Sequence, residues 1–135
     1  MTLARRRVLH RSPFEGRPPE VGSRRWLVAE LDRLPSLIVR RRDRRCVTCG
    51  ERRRLQCSHF YSRRHLAVRF DLRNCHAMCA ACNRRHSADP SPYRSFINER
   101  YGPGVVAELA RLRLGLVKIT DDELRRLLEQ YELRL

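Results

Sequence analysis

Four cysteines in two Cys-x-x-Cys pairs, Cys46/Cys49 and Cys79/Cys82, bracket the segment LQCSHFYSRRHLAVRFDLRN. Two thiolates three positions apart at one tight turn, joined by two more at a second turn, can close a tetrahedral zinc site that fixes whatever lies between them. Between them stand His59, after a short apolar run, and then Asn74, while Asn83 directly follows the last cysteine. Phosphodiester hydrolysis needs an activated water, a cation on the phosphate and leaving oxygen, and a rigid frame for both. Each requirement has a candidate here. An imidazole titrating near about 6.5 can take a proton from water at neutral pH, which makes His59 the candidate general base. Asn83 offers an amide oxygen suited to a hard cation, Mg²⁺ or Mn²⁺, with phosphate and waters supplying most remaining ligands. His86, one helical turn on, is the alternative or additional ligand. Asn74 is placed to hold the loop bearing His59 by side-chain to backbone hydrogen bonds.

The charge points the same way. The 135 residues carry a formal net charge of +15, and the excess is regional: residues 1–86 hold 22 basic and 7 acidic side chains, residues 87–135 eight of each. A field of that size around the candidate site suits a polyanion that releases counterions on binding, and nucleic acid is the natural partner. Lys118 is the only lysine. Genome composition can favour arginine over lysine, but it does not explain the regional excess. Arginine's planar fork also pairs bidentately with phosphate oxygens. Arg63 and Arg64, just after His59, are the candidates for gripping the phosphate, and Arg84 and Arg85, beside Asn83, for further DNA contact; a general DNA-facing role fits them nearly as well. The run Arg40–Arg45, broken only by Asp43, is either a basic stripe beside the first cysteine pair or an ordinary solvated face.

No stretch approaches the roughly 20 apolar residues of a membrane span, and MTLARRRVLHR lacks the apolar run of a signal peptide. A cytoplasmic location follows as the expectation. In that reducing compartment paired Cys-x-x-Cys motifs hold metal rather than form disulfides. A core this small and this charged also needs a staple, which zinc supplies.

The elements that must position these residues divide the chain into a flexible basic arm over 1–22, a zinc-binding core over 23–90 and a helical C-terminal region over 91–135. Ser23 is a plausible N-cap for a helix through Trp26, Leu27, Leu31 and Leu34, which Pro35 is expected to break or kink before a second turn through Leu37 and Ile38. Gly50 allows the turn at the first cysteine pair. Glu51–Arg54 is expected at a hairpin tip, Leu55–Tyr61 as a strand, and Arg69–Leu72 as its partner or a loop entry. A short helix starting near Met78–Cys79 carries Cys82, Asn83 and His86. Ser91 and Pro92 read as N-cap and first position of a helix that stops at Gly102. A second helix, Val105–Leu114, places Val105, Leu109 and Leu112 on one side. Thr120 to Glu123 form a capping box for a last helix whose apolar face is Leu124, Leu127, Leu128 and Tyr131. That face serves core packing or dimerisation, with packing favoured.

In this order of motifs the chain resembles the HNH nucleases of the ββα-metal, treble-clef fold, in the variant whose third letter is Asn. Within that group CVTCG, LQCSHFYSRR, RFDLRNCHAMCAACN and ITDDELRRLLEQYELRL are similar to the phage lambda NinG (Rap) recombination family, over roughly residues 26–135. The resemblance implies an α+β fold with a zinc-stapled ββα core and added N- and C-terminal helices. It carries over His59 as general base, Asn74 as structural Asn, Asn83 as metal ligand and the four paired cysteines as the structural zinc site. It further implies a phage or prophage endonuclease cutting branched recombination intermediates, a Holliday junction or D-loop, to a 3′-hydroxyl and a 5′-phosphate. Symmetric cutting of a junction requires two active sites, hence a homodimer formed through the helices after Ser91.

One departure matters. The position before the base is often an acidic metal ligand in the broader group, and here it is Ser58. The catalytic metal then falls to His59 itself, His86 or Asp71, with Asp89 a weaker candidate. Cys57 and Cys75 read as buried apolar thiols or as replacements for one of the four zinc ligands. His65 and His76 read as polar or phosphate-contacting residues, His76 being close enough to Cys75 and Cys79 in sequence to be a ligand. Two rival functions share these features: a non-catalytic zinc module binding structured DNA or RNA, and a general HNH nuclease of phage packaging or restriction.

Overall fold

The computed structural model describes residues 17–115 and 118–135, so most of the arm expected over 1–22 lies outside the described residues. Helix α1 spans Arg24–Asp43, opened by Ser23, whose Oγ accepts from the Trp26 amide at 3.3 Å. Pro35 does not break it. Proline removes one backbone donor at a cost of about 3 kcal/mol, but Leu31, Leu34, Ile38 and Val39 are buried around it and hold the helix straight through. Arg44, in the left-handed region at φ 60°, ends the helix with its amide donating to the Arg40 carbonyl at 3.1 Å.

The hairpin that follows differs from the expected one. Strand β1 is Gln56–His59 and pairs antiparallel with β2, Cys75–Met78, in the register Cys57 opposite Ala77 and His59 opposite Cys75. Glu51–Arg54 is a turn leading into β1 rather than a hairpin tip, because the Glu51 carboxylate accepts from the amides of both Arg52 and Arg53 at 2.9 Å. Arg69–Leu72 is not a strand: Arg69 ends the short helix α2, Leu66–Arg69, and the Asp71 carboxylate accepts from the Arg73 amide at 2.9 Å to form a turn. Residues 60–74 thus connect the strands.

After β2, Cys79 caps α3, Ala80–Ala88. Helix α4 is Ser91–Tyr101, with Pro90 rather than Ser91 at the cap, because Asp89 Oδ1 takes the Ser91 amide at 3.0 Å. It ends at Gly102, whose φ of +91° suits glycine. Helix α5 is Val105–Leu114; Leu109 is fully buried, whereas Leu112 faces outward rather than joining it. Thr120 and Glu123 form the reciprocal capping box of α6, Asp121–Glu132. These six helices and the two-stranded sheet make a small α+β fold among the described residues.

Two apolar clusters hold it together. In one, Leu124, Leu128 and Tyr131 of α6 pack on Leu27, Leu31, Leu34 and Ile38 of α1, and Tyr131 donates its hydroxyl to the Phe70 carbonyl. The amphipathic face of α6 is therefore spent on core packing. In the other, Phe60, Met78, Tyr93 and Ile97 pack beside Cys46 and Cys82. Strand β2 lies between the clusters, all four residues buried. Arg42 and Asp43 at the end of α1 pin it: Arg42 donates to the Cys75 carbonyl at 2.7 Å, and Asp43 accepts from the Ala77 amide at 2.8 Å. Arg42 is thus a structural member of the Arg40–Arg45 run.

Candidate active site and metal centre

The two cysteine pairs reach each other because both hang from β2. The Val47 amide donates to the Ala77 carbonyl at 3.0 Å, and Cys79 immediately follows the strand. The first pair closes on itself through Gly50, whose amide donates to the Cys46 carbonyl at 2.9 Å and whose φ is +81°. The second is set by the start of α3, where Cys79 Sγ accepts from the Cys82 amide at 3.5 Å. The four sulfurs lie within 4.8 Å of one another, and Cys49 and Cys79 are 3.7 Å apart. Although burial opposes ionisation, the Thr48 hydroxyl and nearby backbone groups hold Cys46 down to about 6. Four soft donors grouped this closely fit a metal such as zinc, and this quartet could hold one.

Beside the quartet an open cleft of about 1100 Å³ runs between α1, β1 and α3. His59, Asn83, His86 and Arg63 all line it. His59 ends β1 with Nε2 3.0 Å from the Arg69 carbonyl. A carbonyl only accepts, so Nε2 carries the proton and Nδ1 the free lone pair. Burial pushes the imidazole pKa below its ordinary value, partly countered by that hydrogen bond, so the ring is neutral at pH 7. Asn74 is fully buried and holds the connection by three bonds: Oδ1 accepts from the Tyr61 amide at 2.8 Å, and Nδ2 donates to the Tyr61 and Val68 carbonyls at 3.0 and 3.1 Å. Asn83 Oδ1 accepts from Ser58 Oγ at 2.8 Å, and its Nδ2 donates to Gln56 Oε1 at 3.0 Å. His86 donates from Nε2 to the Phe60 carbonyl at 2.8 Å, which leaves Nδ1 buried without a partner.

Other sequence candidates fall elsewhere. Asp71 is bound to Arg73 and Asp89 accepts from the Ser91 amide before α4, and neither lines the cleft. Arg64, Arg84 and Arg85 are exposed but outside it. His76 is neither a phosphate contact nor grouped with either cysteine pair. It is fully buried, its Nδ1 2.9 Å from the Tyr93 hydroxyl and its Nε2 2.8 Å from the Tyr101 hydroxyl. Tyr93 in turn donates to the Ser58 carbonyl at 3.0 Å. The proton order is therefore fixed: His76 Nδ1 donates to Tyr93, and Tyr101 donates to His76 Nε2. Desolvation, with Arg42 nearby, drives the His76 pKa to about 3. Cys57 and Cys75 stand apart from the quartet, on one sheet face with His59.

Several cleft residues were not singled out from sequence. Asp32 and Ser36 line its α1 wall beside Arg40, the first residue of the basic run, and Arg94 and Arg113 reach it from α4 and α5. Asp32, Ser36 and Arg40 recur every four residues, a one-face helical pattern that the expected break at Pro35 concealed. Asp32 is the only carboxylate among the described lining residues, and Arg69 holds it bidentately at 2.8 and 2.6 Å.

Fold and site together define a small α+β protein with a cysteine quartet that could hold a metal, set beside a basic, histidine-bearing cleft. The chain belongs to the NinG family, described as Bacteriophage Lambda NinG protein, whose match covers residues 5–135. It is 32% identical over 91 residues to Protein ninG of Salmonella phage P22 and 31% identical over 91 residues to Protein ninG of Escherichia phage 933W. Each alignment covers 64% of this chain and 45% of the relative, so the chain matches somewhat under half the length of these proteins. No solved structure matches it. No helix among the described residues is long and apolar enough to cross a membrane.

Proposed function

We propose that this protein is a metal-dependent DNA endonuclease of the HNH, treble-clef type, acting on branched recombination intermediates. The observation that carries the reading is the His59 tautomer: a cleft-lining, neutral imidazole whose Nε2 proton is committed to the Arg69 carbonyl, leaving Nδ1 to take a proton from water. Asn74 clamps the chain that follows the base, and Arg63, with Arg40 and Arg94, places positive charge where a phosphate would lie. Asn83 Oδ1 suits a hard ion that keeps most of its ligands as water and phosphate oxygen, and His86 Nδ1 is a further ring nitrogen without a partner. A bound Mg²⁺ or Mn²⁺ would polarise the phosphate and stabilise the leaving oxygen. Structural zinc in the quartet would hold the hairpin and α3 in register.

Cleavage of a labelled four-way junction and a matched linear duplex, by wild type and His59→Ala with Mg²⁺, Mn²⁺ or EDTA, tests this. Junction-selective, metal-dependent cutting lost in the variant is the expected result, with DNA binding retained. Equal cutting of both substrates would leave a general nuclease of packaging or restriction. Junction cutting in register would also call for a homodimer. The α6 apolar face is already occupied within the chain, so among the described residues after Ser91 the exposed Leu112 and Leu114 of α5, with Leu133 and Leu135 beyond α6, are the apolar candidates for that contact.

A second reading, a non-catalytic zinc module that binds structured DNA or RNA, draws on a specific observation. Among the described residues the only carboxylate lining the cleft is locked to Arg69, and Ser58 stands where an acidic ligand is common. Tight binding without cutting in any metal would decide for it.

A further inference from the structure

Cys57, His59 and Cys75 bring two sulfurs and a ring nitrogen within 4.8 Å of one another, a second potential ligand group apart from the quartet. Their placement follows from the hairpin. His59 and Cys75 are directly opposed across the two strands, and Cys57 lies two residues back on the same face. Tetrahedral zinc wants such atoms roughly 3.3–3.8 Å apart, and these three already lie within 4.8 Å of one another. Cys75 is fully buried, whereas Cys57 and His59 line the cleft. Three protein ligands with an open side is the pattern of an exchangeable site rather than a closed structural one. The donor set is soft, so it selects zinc-like ions and rejects the Mg²⁺ that oxygen ligands favour.

We infer that Cys57, His59 and Cys75 form a second, thiophilic metal site whose occupation by zinc switches off the base. Binding releases the two thiol protons to solvent and spends the one lone pair that a neutral imidazole owns. Whichever ring nitrogen coordinates, none remains to take a proton from water. The inhibitory half rests on His59 being the general base; the binding half does not.

Co²⁺ titration of the metal-free chain under reductant, followed by its thiolate-to-cobalt absorption, separates the two halves. Wild type is expected to fill in two phases, one for the quartet and one for the second site. Cys57→Ser should keep the first phase, which reports an intact fold, and lose the second. A single phase in wild type, or two in Cys57→Ser, overturns the site. Junction cutting at fixed Mg²⁺ is then measured against added Zn²⁺, with at least tenfold more zinc needed to inhibit Cys57→Ser than wild type. Equal zinc sensitivity in the two proteins overturns the switch, and a chain that cuts nothing defeats the nuclease reading while the cobalt result still decides the site.

Discussion

At the scale of single residues, the cleft depends on side chains that hold others. On the nuclease reading proposed above, His59→Ala is expected to reduce cutting by about 10²–10⁴-fold, the usual contribution of a positioned base, with junction affinity unchanged in a gel-shift assay. Asn74→Asp keeps the acceptor for the Tyr61 amide but loses both donations to the Tyr61 and Val68 carbonyls. Leaving buried groups unpaired costs about 1–3 kcal/mol each, so the variant should melt several degrees lower, and protease should nick residues 61–73 first. His76 supplies a pH prediction. Its folded pKa of about 3 lies below the ordinary 6.5, so between those values the unfolded chain binds a proton that the native protein refuses. Its contribution is therefore complete above pH 6.5 and lost as pH falls towards 3; thermal melts of His76→Gln should show a shallower acid slope, by close to one proton.

At the scale of elements, legibility followed the strength of the local signal. The Thr120 capping box, the stop at Gly102 and α5 were readable because caps and glycines act within a few residues. The unbroken α1 was not, because the helix is held by the packing of Leu31, Leu34 and Ile38 against α6 and by its contacts with the sheet, partners distant in sequence. The alternation in Arg69–Leu72 imitated a strand, while the true partner, CHAM, is too short and too evenly buried to show a period. Of the site, the quartet's grouping could be read from spacing and His59, Asn83 and His86 marked as candidates by residue type, but the cleft they share could not. The Asp32, Ser36, Arg40 wall and the His76 tyrosine pair required the tertiary fold. Leu128→Ala, which opens a cavity between α6 and α1, is expected to cost about 2–5 kcal/mol in urea unfolding.

At the scale of the whole molecule, charge and metal set the behaviour. If the basic excess serves DNA, affinity should fall steeply with salt, and Arg40→Ala should reduce the slope of log K against log salt by about one. Zinc binding and folding are coupled in small sites, so Cys82→Ser or a strong chelator should abolish the cooperative melt, followed by circular dichroism. Retention of both the spectrum and the melting temperature would remove the quartet from the account.

Strand β2 also decides where the chain can change length. Along it, Cys75 and Ala77 face one way and His76 and Met78 the other. Deleting Ala77 would slip the strand by one residue, turning His76 towards the face that Cys75 holds and Cys75 towards the face that His76 holds. The exposed turn at Ser62–Arg64, on the loop side of the Asn74 clamp, carries no such parity. Insertions and exchanged loops should be accepted there, which makes it the natural point at which variants of this chain could diverge in what they grip while the hairpin beneath stays the same.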